Sequence, residues 1–288
     1  MAPPSLPNND RPLIANPAPV RRLIPVTIHP SRSDARSTPP TLCARTDPVP
    51  SVCLRLSHEP VLAPETSKIP HVTQRLALFD LDNTLVDRED AHRRWSEGLI
   101  ARHGLGPEAI EWLVAEDGDG LTPKDRYFAA AKARFGLRES VEALWARYRT
   151  EKPSLIKPDP AIQIGLTRLR DAGWKIGIVT NGREDTQNAT IMHAQLSGLV
   201  DGWAISGAEG VKKPATELFT IAALRCGADV SLGGWMIGDS AKADVGGGRS
   251  AGLRTIWIDR GRAWPGGPLP THTMPNAAAA IDSLLAEV

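Results

Sequence analysis

The chain has 288 residues, and its 34 basic and 33 acidic side chains leave a formal net charge of +1. This balance predicts a soluble globular protein and excludes a strong electrostatic attraction to nucleic acid or to a membrane surface. No apolar run approaches the roughly 18 residues that a membrane span needs, and three scattered cysteines are too few for a disulfide framework. We therefore expect a cytoplasmic protein with neither nucleic acid nor membrane as a partner; the sequence leaves its oligomeric state open.

The N-terminal quarter of the chain has a different composition from the rest. Residues 1–70 contain 15 of the 25 prolines, no glycine and no aromatic residue, and their charge is 8 basic minus 5 acidic, or +3. Such a segment cannot bury enough apolar area to offset the entropy of ordering it. We expect residues 1–71 to be a disordered tail, with a targeting segment or a misassigned start as alternatives, and the folded unit to begin at Val72.

The folded part opens with one short strand and then a long helical stretch. The apolar run of "RLALFDLDNTLVDRE" (75–89) predicts a buried strand that ends at Asp80. In residues 89–151 the apolar positions 141, 144, 145 and 148 have the spacing of a helix packed on one side. Thr122 and Pro123 resemble an N-cap followed by a proline at the first helical position. "KPSLIKPDP" (152–160) then breaks the pattern, so residues 89–151 are predicted to be an inserted helical domain.

From residue 161 onward helices and strands alternate. A helix is predicted to end at Gly173, and strands are predicted at residues 174–180, 202–206, 234–238 and 254–258. This alternation is typical of an α/β protein with a parallel sheet covered by helices. The core domain is therefore predicted to comprise residues 72–88 and 152–288.

The unusual polar residues follow the ends of the predicted strands. Open parallel sheets bind ligands beyond the carboxyl ends of their strands, so residues at those ends are brought to one rim. The candidate site residues at this rim are Asp80, Asp82, Thr180, Asn181, Lys213, Asp239 and Asp244.

This set of side chains has a definite chemical implication. Carboxylates that lie so close repel one another unless a cation is present, and oxygen ligands favour a hard ion such as Mg²⁺. One lysine with a Thr/Asn pair suits a phosphoryl group, whose transfer depends on positioning and charge neutralisation. One carboxylate can then act as the nucleophile, and a second, two residues on, as general acid and base. A calcium loop read from Asp80 lacks the required Gly and Glu, and no P-loop motif is present.

Four short motifs resemble those of the haloacid dehalogenase (HAD) superfamily, in the usual order. They are "DLDNT" (80–84), "VTN" (179–181), "KKP" (212–214) and "GDSAKAD" (238–244). The helical insert after the first motif resembles the α-helical cap of the subfamily that includes phosphoglycolate phosphatase. The resemblance implies a Rossmann-like core and a mobile cap over a Mg²⁺ site.

The resemblance also implies a role for each site residue. Asp80 is expected to be the nucleophile and a Mg²⁺ ligand, and Asp82 the general acid/base whose backbone carbonyl also binds Mg²⁺. Thr180 and the backbone around Asn181 are expected to hold phosphoryl oxygens. The lysine before Pro214 is expected to neutralise the transferring group, so the assignment falls on Lys213, with Lys212 as the competitor. Asp239 is expected to ligate Mg²⁺ and Asp244 to support it.

Asp82 decides between reaction classes within this resemblance. Dehalogenases of the superfamily lack an aspartate two residues after the nucleophile, because a leaving halide needs no proton. We therefore expect a Mg²⁺-dependent phosphatase that hydrolyses a small phosphorylated metabolite through an aspartyl-phosphate at Asp80. A phosphomutase or phosphotransferase using the same site, or a catalytically silent binding protein with this fold, are the alternatives.

Two further segments of the insert allow two interpretations each. The charged run at residues 92–94 could reach an anionic leaving group, but a solvated helix end is the interpretation we favour. "EDGDG" (116–120) could be a hinge or a loop that enters the site, but an exposed acidic turn is more usual.

Overall fold

The structure is a computed structural model that describes residues 74–287, so the predicted tail at residues 1–71 lies outside the described residues. Its centre is a six-stranded sheet in which all neighbouring strands are parallel. In chain order the strands are β1 (Leu76–Phe79), β2 (Lys175–Thr180), β3 (Gly202–Ile205), β4 (Trp235–Gly238), β5 (Arg254–Ile258) and β6 (His272–Met274). Their order across the sheet is β3-β2-β1-β4-β5-β6, so the first strand lies near the middle.

The described residues also form ten α-helices and three helical turns of other types. The α-helices are α1 (Arg88–His103), α2 (Glu108–Asp117), α3 (Lys124–Phe135), α4 (Val141–Ser154), α5 (Pro160–Asp171), α6 (Glu184–His193), α7 (Ser206–Glu209), α8 (Thr216–Arg225), α9 (Gly247–Ser250) and α10 (Ala277–Leu285). The turns are 3₁₀ helices at Gly118–Gly120 and Val230–Leu232 and a π-helix at Ala241–Gly246.

Both faces of the sheet are buried, as the sequence predicts for a parallel sheet. Successive side chains of a strand point to opposite faces. Ala77 and Phe79 accordingly pack with α5, α6 and α10, whereas Leu76 and Leu78 pack with α8 on the other face. Two buried layers hold β1 in a fixed position, and with it the residue that follows its carboxyl end.

Helices α1 to α4 pack around an apolar cluster of their own. Nine buried residues form it, contributed by all four helices and the loop before α4: Trp95, Leu99, Leu113, Tyr127, Phe128, Ala131, Leu137, Leu144 and Tyr148. This cluster is separate from the two layers that cover the sheet. The fold is therefore the predicted α/β one, with a parallel sheet and helices inserted after the first strand.

Several local boundaries differ from the prediction. Helix α3 begins at Lys124 with Pro123 as its N-cap, one residue later than the predicted Thr122 cap. Helix α4 continues through Pro153 to Ser154 although residue 152 was predicted to end it. A proline so close to the helix end removes one hydrogen bond, and tertiary packing outweighs that loss. The edge strand β6 was not predicted, because three residues give too short a pattern.

The structure also bears on the expectation that the protein has no membrane segment. Within residues 74–287, no helix combines the length and the apolar composition that crossing a membrane requires.

Candidate active site

The carboxyl end of β1 carries a buried ion pair. Asp80 follows Phe79 directly and is anchored by a hydrogen bond from its backbone N–H to the carbonyl oxygen of Ile237 in β4. Its Oδ1 lies 2.5 Å from Nζ of Lys213, which is almost completely buried. Lys212 is exposed, so Lys213 is the lysine of "KKP" that contacts Asp80.

Two more carboxylates reach the same place from the segment after β4. Oxygen atoms of Asp80, Asp239 and Asp244 all lie within 4.8 Å of one another. Asp244 lies 2.7 Å from Nζ of Lys213 and accepts a hydrogen bond from the backbone N–H of Ser240. A Cβ at residue 238 would collide with the Asp244 carboxylate, so Gly238 is required for this close approach.

The electrostatics of this cluster favour a bound cation. Burial raises the pKa of Asp80 well above its usual range, and the charges of Asp244 and Asp239 add to the rise although Lys213 opposes it. Burial and Asp244 likewise raise the pKa of Asp239 to about 6. Burial opposes the charged form of Lys213, but Asp244 and Asp80 outweigh it and raise the pKa of that lysine. Asp239 also faces Arg262 at 3.1 Å and Arg260 at 3.5 Å, but burial and Asp244 outweigh these charges, and the all-oxygen donor set fits a hard divalent ion.

The end of β2 supplies Thr180 and Asn181. Both residues line the same cleft as the carboxylates. The Asn181 side chain is bonded twice to the backbone of Lys213: its Nδ2 donates to the carbonyl oxygen at 3.0 Å, and its Oδ1 accepts from the N–H at 2.8 Å. The amide therefore fixes the loop that carries Lys213, a function that the strand-end position alone does not predict.

The Asp82 carboxylate lines the same cleft but is not part of the cluster of three carboxylates. Its Oδ2 accepts a hydrogen bond of 3.0 Å from Gln187, and its Oδ1 lies 3.5 Å from Nζ of Lys152. Burial works to raise the pKa of Asp82, but the charges of Lys152 and Arg88 and the Gln187 hydrogen bond lower it. Sequence reasoning missed Gln187 and Lys152, because contacts so distant along the chain leave no local pattern.

A cleft of about 910 Å³ contains all seven predicted site residues. Its rim includes the loop after β5, whose Arg262 lies 3.1 Å from Asp239 and 3.4 Å from Asp119 of the insert. Arg260 of the same loop contacts Asp119 at 2.9 Å and Glu89 at 2.7 Å. No pattern in the sequence assigns these arginines a role; in the structure they connect the helical insert to the carboxylate cluster.

The two ambiguous segments of the insert meet in a buried ionic network. Asp117 is 1% exposed and lies 2.8 Å from Arg88 and 2.6 Å from Lys124. His92 is also 1% exposed, so the expectation of a solvated helix end is wrong for this residue. "EDGDG" is not simply an exposed turn either, since Asp117 is buried and Asp119 and Gly120 line the cleft.

Comparisons with known proteins identify the family of this chain. The family described as haloacid dehalogenase-like hydrolase matches residues 77–258. A glyceraldehyde 3-phosphate phosphatase from Pyrococcus abyssi is 30% identical over 204 residues, covering 65% of this chain and 82% of the relative. A phosphoserine phosphatase from Thermus thermophilus is 27% identical over 227 residues, covering 65% and 89%.

A solved structure shows the same fold. A HAD hydrolase from Bacillus subtilis, determined with magnesium bound, superposes with a TM-score of 0.61 at 22% identity, covering 74% of this chain and 99% of that one. The matched range contains all four motifs of the sequence and all seven residues gathered at the cleft. The chain therefore belongs to the haloacid dehalogenase-like hydrolase family.

Proposed function

We propose that this chain is a Mg²⁺-dependent phosphatase that hydrolyses a small phosphorylated metabolite through an aspartyl-phosphate at Asp80. The observation that carries the proposal is the arrangement of buried Asp80, Lys213 and Asp244 with partly buried Asp239 in the cleft. Relatives named as glyceraldehyde 3-phosphate phosphatase and phosphoserine phosphatase support phosphate esters as the substrate class.

The residues present fit a Mg²⁺ ion. Asp80, the backbone carbonyl of Asp82, and Asp239 would hold it, with Asp244 in support. Such an ion supplies positive charge that neutralises the phosphoryl oxygens and keeps the nearby carboxylates ionised. The raised pKa values of Asp80 and Asp239 are those expected of ligands that lack this charge.

The first chemical step transfers the phosphoryl group to the protein. An Oδ atom of Asp80 bonds to phosphorus while the bond from phosphorus to the leaving oxygen breaks, and Asp82 protonates that oxygen. Asp82 is ionised before substrate binds and takes up this proton when the negative charge of the bound phosphate lies beside it, against the effect of Lys152 and Arg88. The Lys213 ammonium neutralises charge on the transferring group. The Thr180 hydroxyl and the backbone at Asn181 hold the phosphoryl oxygens that do not react.

The second step restores the protein. Asp82, now ionised, takes a proton from a water molecule, whose oxygen bonds to phosphorus while the bond from phosphorus to Asp80 breaks. Inorganic phosphate leaves and Asp82 is again protonated. One carboxyl group thus serves as acid and then as base, which requires it to lie beside Asp80 without being the nucleophile.

We assign residues 89–151 as a cap domain over a core of residues 72–88 and 152–288. The separate apolar cluster of α1 to α4 supports an independent packing unit, and the position of Asp119 and Gly120 at the cleft supports a role in substrate selection. A cytoplasmic location agrees with a metabolite as substrate and stays a prediction.

The test is phosphate release from p-nitrophenyl phosphate and a panel of metabolites that includes glyceraldehyde 3-phosphate and phosphoserine. We expect release that requires Mg²⁺ and falls to background in Asp80→Asn. Asp282→Asn, at an exposed ion pair with Arg168, is the matched control and should retain wild-type activity. Retained activity in Asp80→Asn would refute the nucleophile. A folded wild type that releases no phosphate, with or without Mg²⁺, would direct attention to the mutase and binding-protein alternatives.

A further inference from the structure

The Asp82 carboxylate is held from both sides by residues that do not line the cleft. Its side chain is 24% exposed and forms part of the cleft wall, whereas Lys152 and Gln187 are 3% and 2% exposed. Gln187 faces one carboxylate oxygen and Lys152 the other. The hydrogen bond from Gln187 holds Oδ2, while Oδ1 has the Lys152 ammonium at ion-pair distance but accepts no hydrogen bond from it, so rotation of the carboxyl group is restricted.

Gln187 connects Asp82 to the phosphate-binding side of the site. Its Nε2 donates to Asp82 Oδ2 at 3.0 Å and also to Thr180 Oγ1 at 2.7 Å. One amide nitrogen has two N–H donors, so both bonds can form together. A Cβ at residue 182 would lie 2.8 Å from Gln187 Cγ, and Gly182 therefore leaves the space that this side chain occupies.

Lys152 connects Asp82 to the helical insert. It lies in the last turn of α4, and the described residues place one carboxylate, that of Asp82, within ion-pair distance of its Nζ. The neighbouring Arg88 forms its ion pair with Asp117 at 2.8 Å, and its charge acts on Asp82 only from a greater distance. A buried ammonium is costly unless it is paired, so the position of Lys152 depends on Asp82 and that of Asp82 on Lys152.

We propose that Lys152 and Gln187 are positioning residues that orient Asp82 for proton transfer to the leaving group. This inference rests on the proposed phosphatase function and adds two residues to it, one from the insert and one from α6. Neither side chain touches the reacting atoms. Their effect is on the direction of the Asp82 carboxyl, and it should therefore depend on how much the leaving oxygen needs a proton.

The leaving group provides the test. An alkyl phosphate needs a proton on its departing oxygen, whereas p-nitrophenolate leaves without one. The value of kcat/KM reports the step in which Asp80 is phosphorylated, so we compare it for p-nitrophenyl phosphate and for the best alkyl phosphate of the panel. For Lys152→Met we expect a fall of roughly tenfold or more with the alkyl ester, a modest part of the contribution of a general acid, and little change with the aryl ester. Gln187→Leu also removes the hydrogen bond to Thr180, so we expect both values to fall, and the alkyl value to fall roughly tenfold further than the aryl value.

Three comparisons separate positioning from a general structural effect. Lys175→Met, at a half-exposed lysine whose Nζ lies 3.9 Å from Asp201, is the matched control and should leave both values unchanged. Lys152→Arg should recover part of the alkyl rate, because it restores the charge. Thermal unfolding of each variant shows whether it is folded; if Lys152→Met is not, Gln187→Leu carries the test alone.

The losses of kcat/KM with the two esters either support or overturn the positioning role of Lys152 and Gln187. Equal losses with both esters, or no loss with either, would overturn the positioning role while Asp80→Asn still establishes the phosphatase. Absence of phosphate release by the wild type from any ester would overturn both proposals. A selective loss with alkyl esters, restored in part by arginine, would support the assignment. Hydrolysis of the aspartyl-phosphate uses the same Asp82 carboxyl. Where that hydrolysis is rate-limiting, we therefore also expect kcat of both variants to fall with both esters.

Discussion

The buried His92 should make the fold sensitive to mild acid. Its ring is 1% exposed, its Nε2 lies 3.3 Å from the carbonyl oxygen of Leu113, and the rings of Trp95, Tyr127 and Tyr148 surround it. Burial lowers the pKa of His92 from 6.5 to about 4. Asp117, 4.0 Å away, opposes that shift, while the nearby charges of Arg88 and Lys124 add to it.

The direction of the effect follows from where the proton binds. Below pH 6.5 the unfolded chain takes up a proton on this histidine, whereas the folded protein does not until the pH approaches 4. The contribution of His92 to the free energy of unfolding is therefore fully present above pH 6.5 and is lost as the pH falls from 6.5 to 4. The full shift of 6.5 minus 4, or about 2.5, at about 1.4 kcal/mol per pH unit, corresponds to roughly 3.5 kcal/mol, of which roughly 3 kcal/mol is lost by pH 4, where the folded histidine is half protonated.

The assay is urea unfolding between pH 7 and pH 4 for the wild type and His92→Gln. The glutamine keeps an amide donor for the Leu113 carbonyl and has no charge to acquire. We expect the free energy of unfolding to fall by roughly 3 kcal/mol more in the wild type than in the variant over this range. Comparing the two pH dependences cancels the contribution of groups common to both, including Asp80 and Asp239. Exposed His193→Gln is the control and should follow the wild type; parallel curves for wild type and His92→Gln would refute the reasoning.

Three other substitutions test the site and the insert. Lys213→Met leaves the carboxylate cluster without its lysine, and we expect phosphate release to fall by roughly 10²–10³ in a steady-state assay; activity within tenfold of wild type would contradict this. Gly238→Ala places a methyl group against Asp244, and isothermal titration should show weaker Mg²⁺ binding, unlike Gly198→Ala, where space is open. Trp95→Ala removes a buried ring whose centroid lies 4.9 Å from that of Tyr148. In urea unfolding we expect the free energy of unfolding to fall by about 3–5 kcal/mol; a fall below about 1 kcal/mol would mean that the insert repacks around the smaller side chain.

The sequence contained enough information for the fold class and for the convergence of the seven site residues. Strands β1, β2, β4 and β5 are apolar runs bounded by breaks, and helices alternate with them, so a parallel sheet was the expected arrangement. In such a sheet all carboxyl ends lie at one edge. Asp80, Thr180 and Asp239 therefore had to meet once their strands were identified, wherever those strands lay in the chain.

The tertiary structure alone decided which side chains control that site. Gln187 and Lys152 contact Asp82 from positions 105 and 70 residues away, and Arg260 reaches Glu89 across 171 residues. His92 looked like part of a charged, solvated run and is instead enclosed by aromatic rings. Hydrophobic periodicity reports which face of an element is buried, because burial repeats along the chain. The same periodicity does not indicate which polar side chain of another element a given residue will contact. That contact depends on how elements distant in sequence pack together.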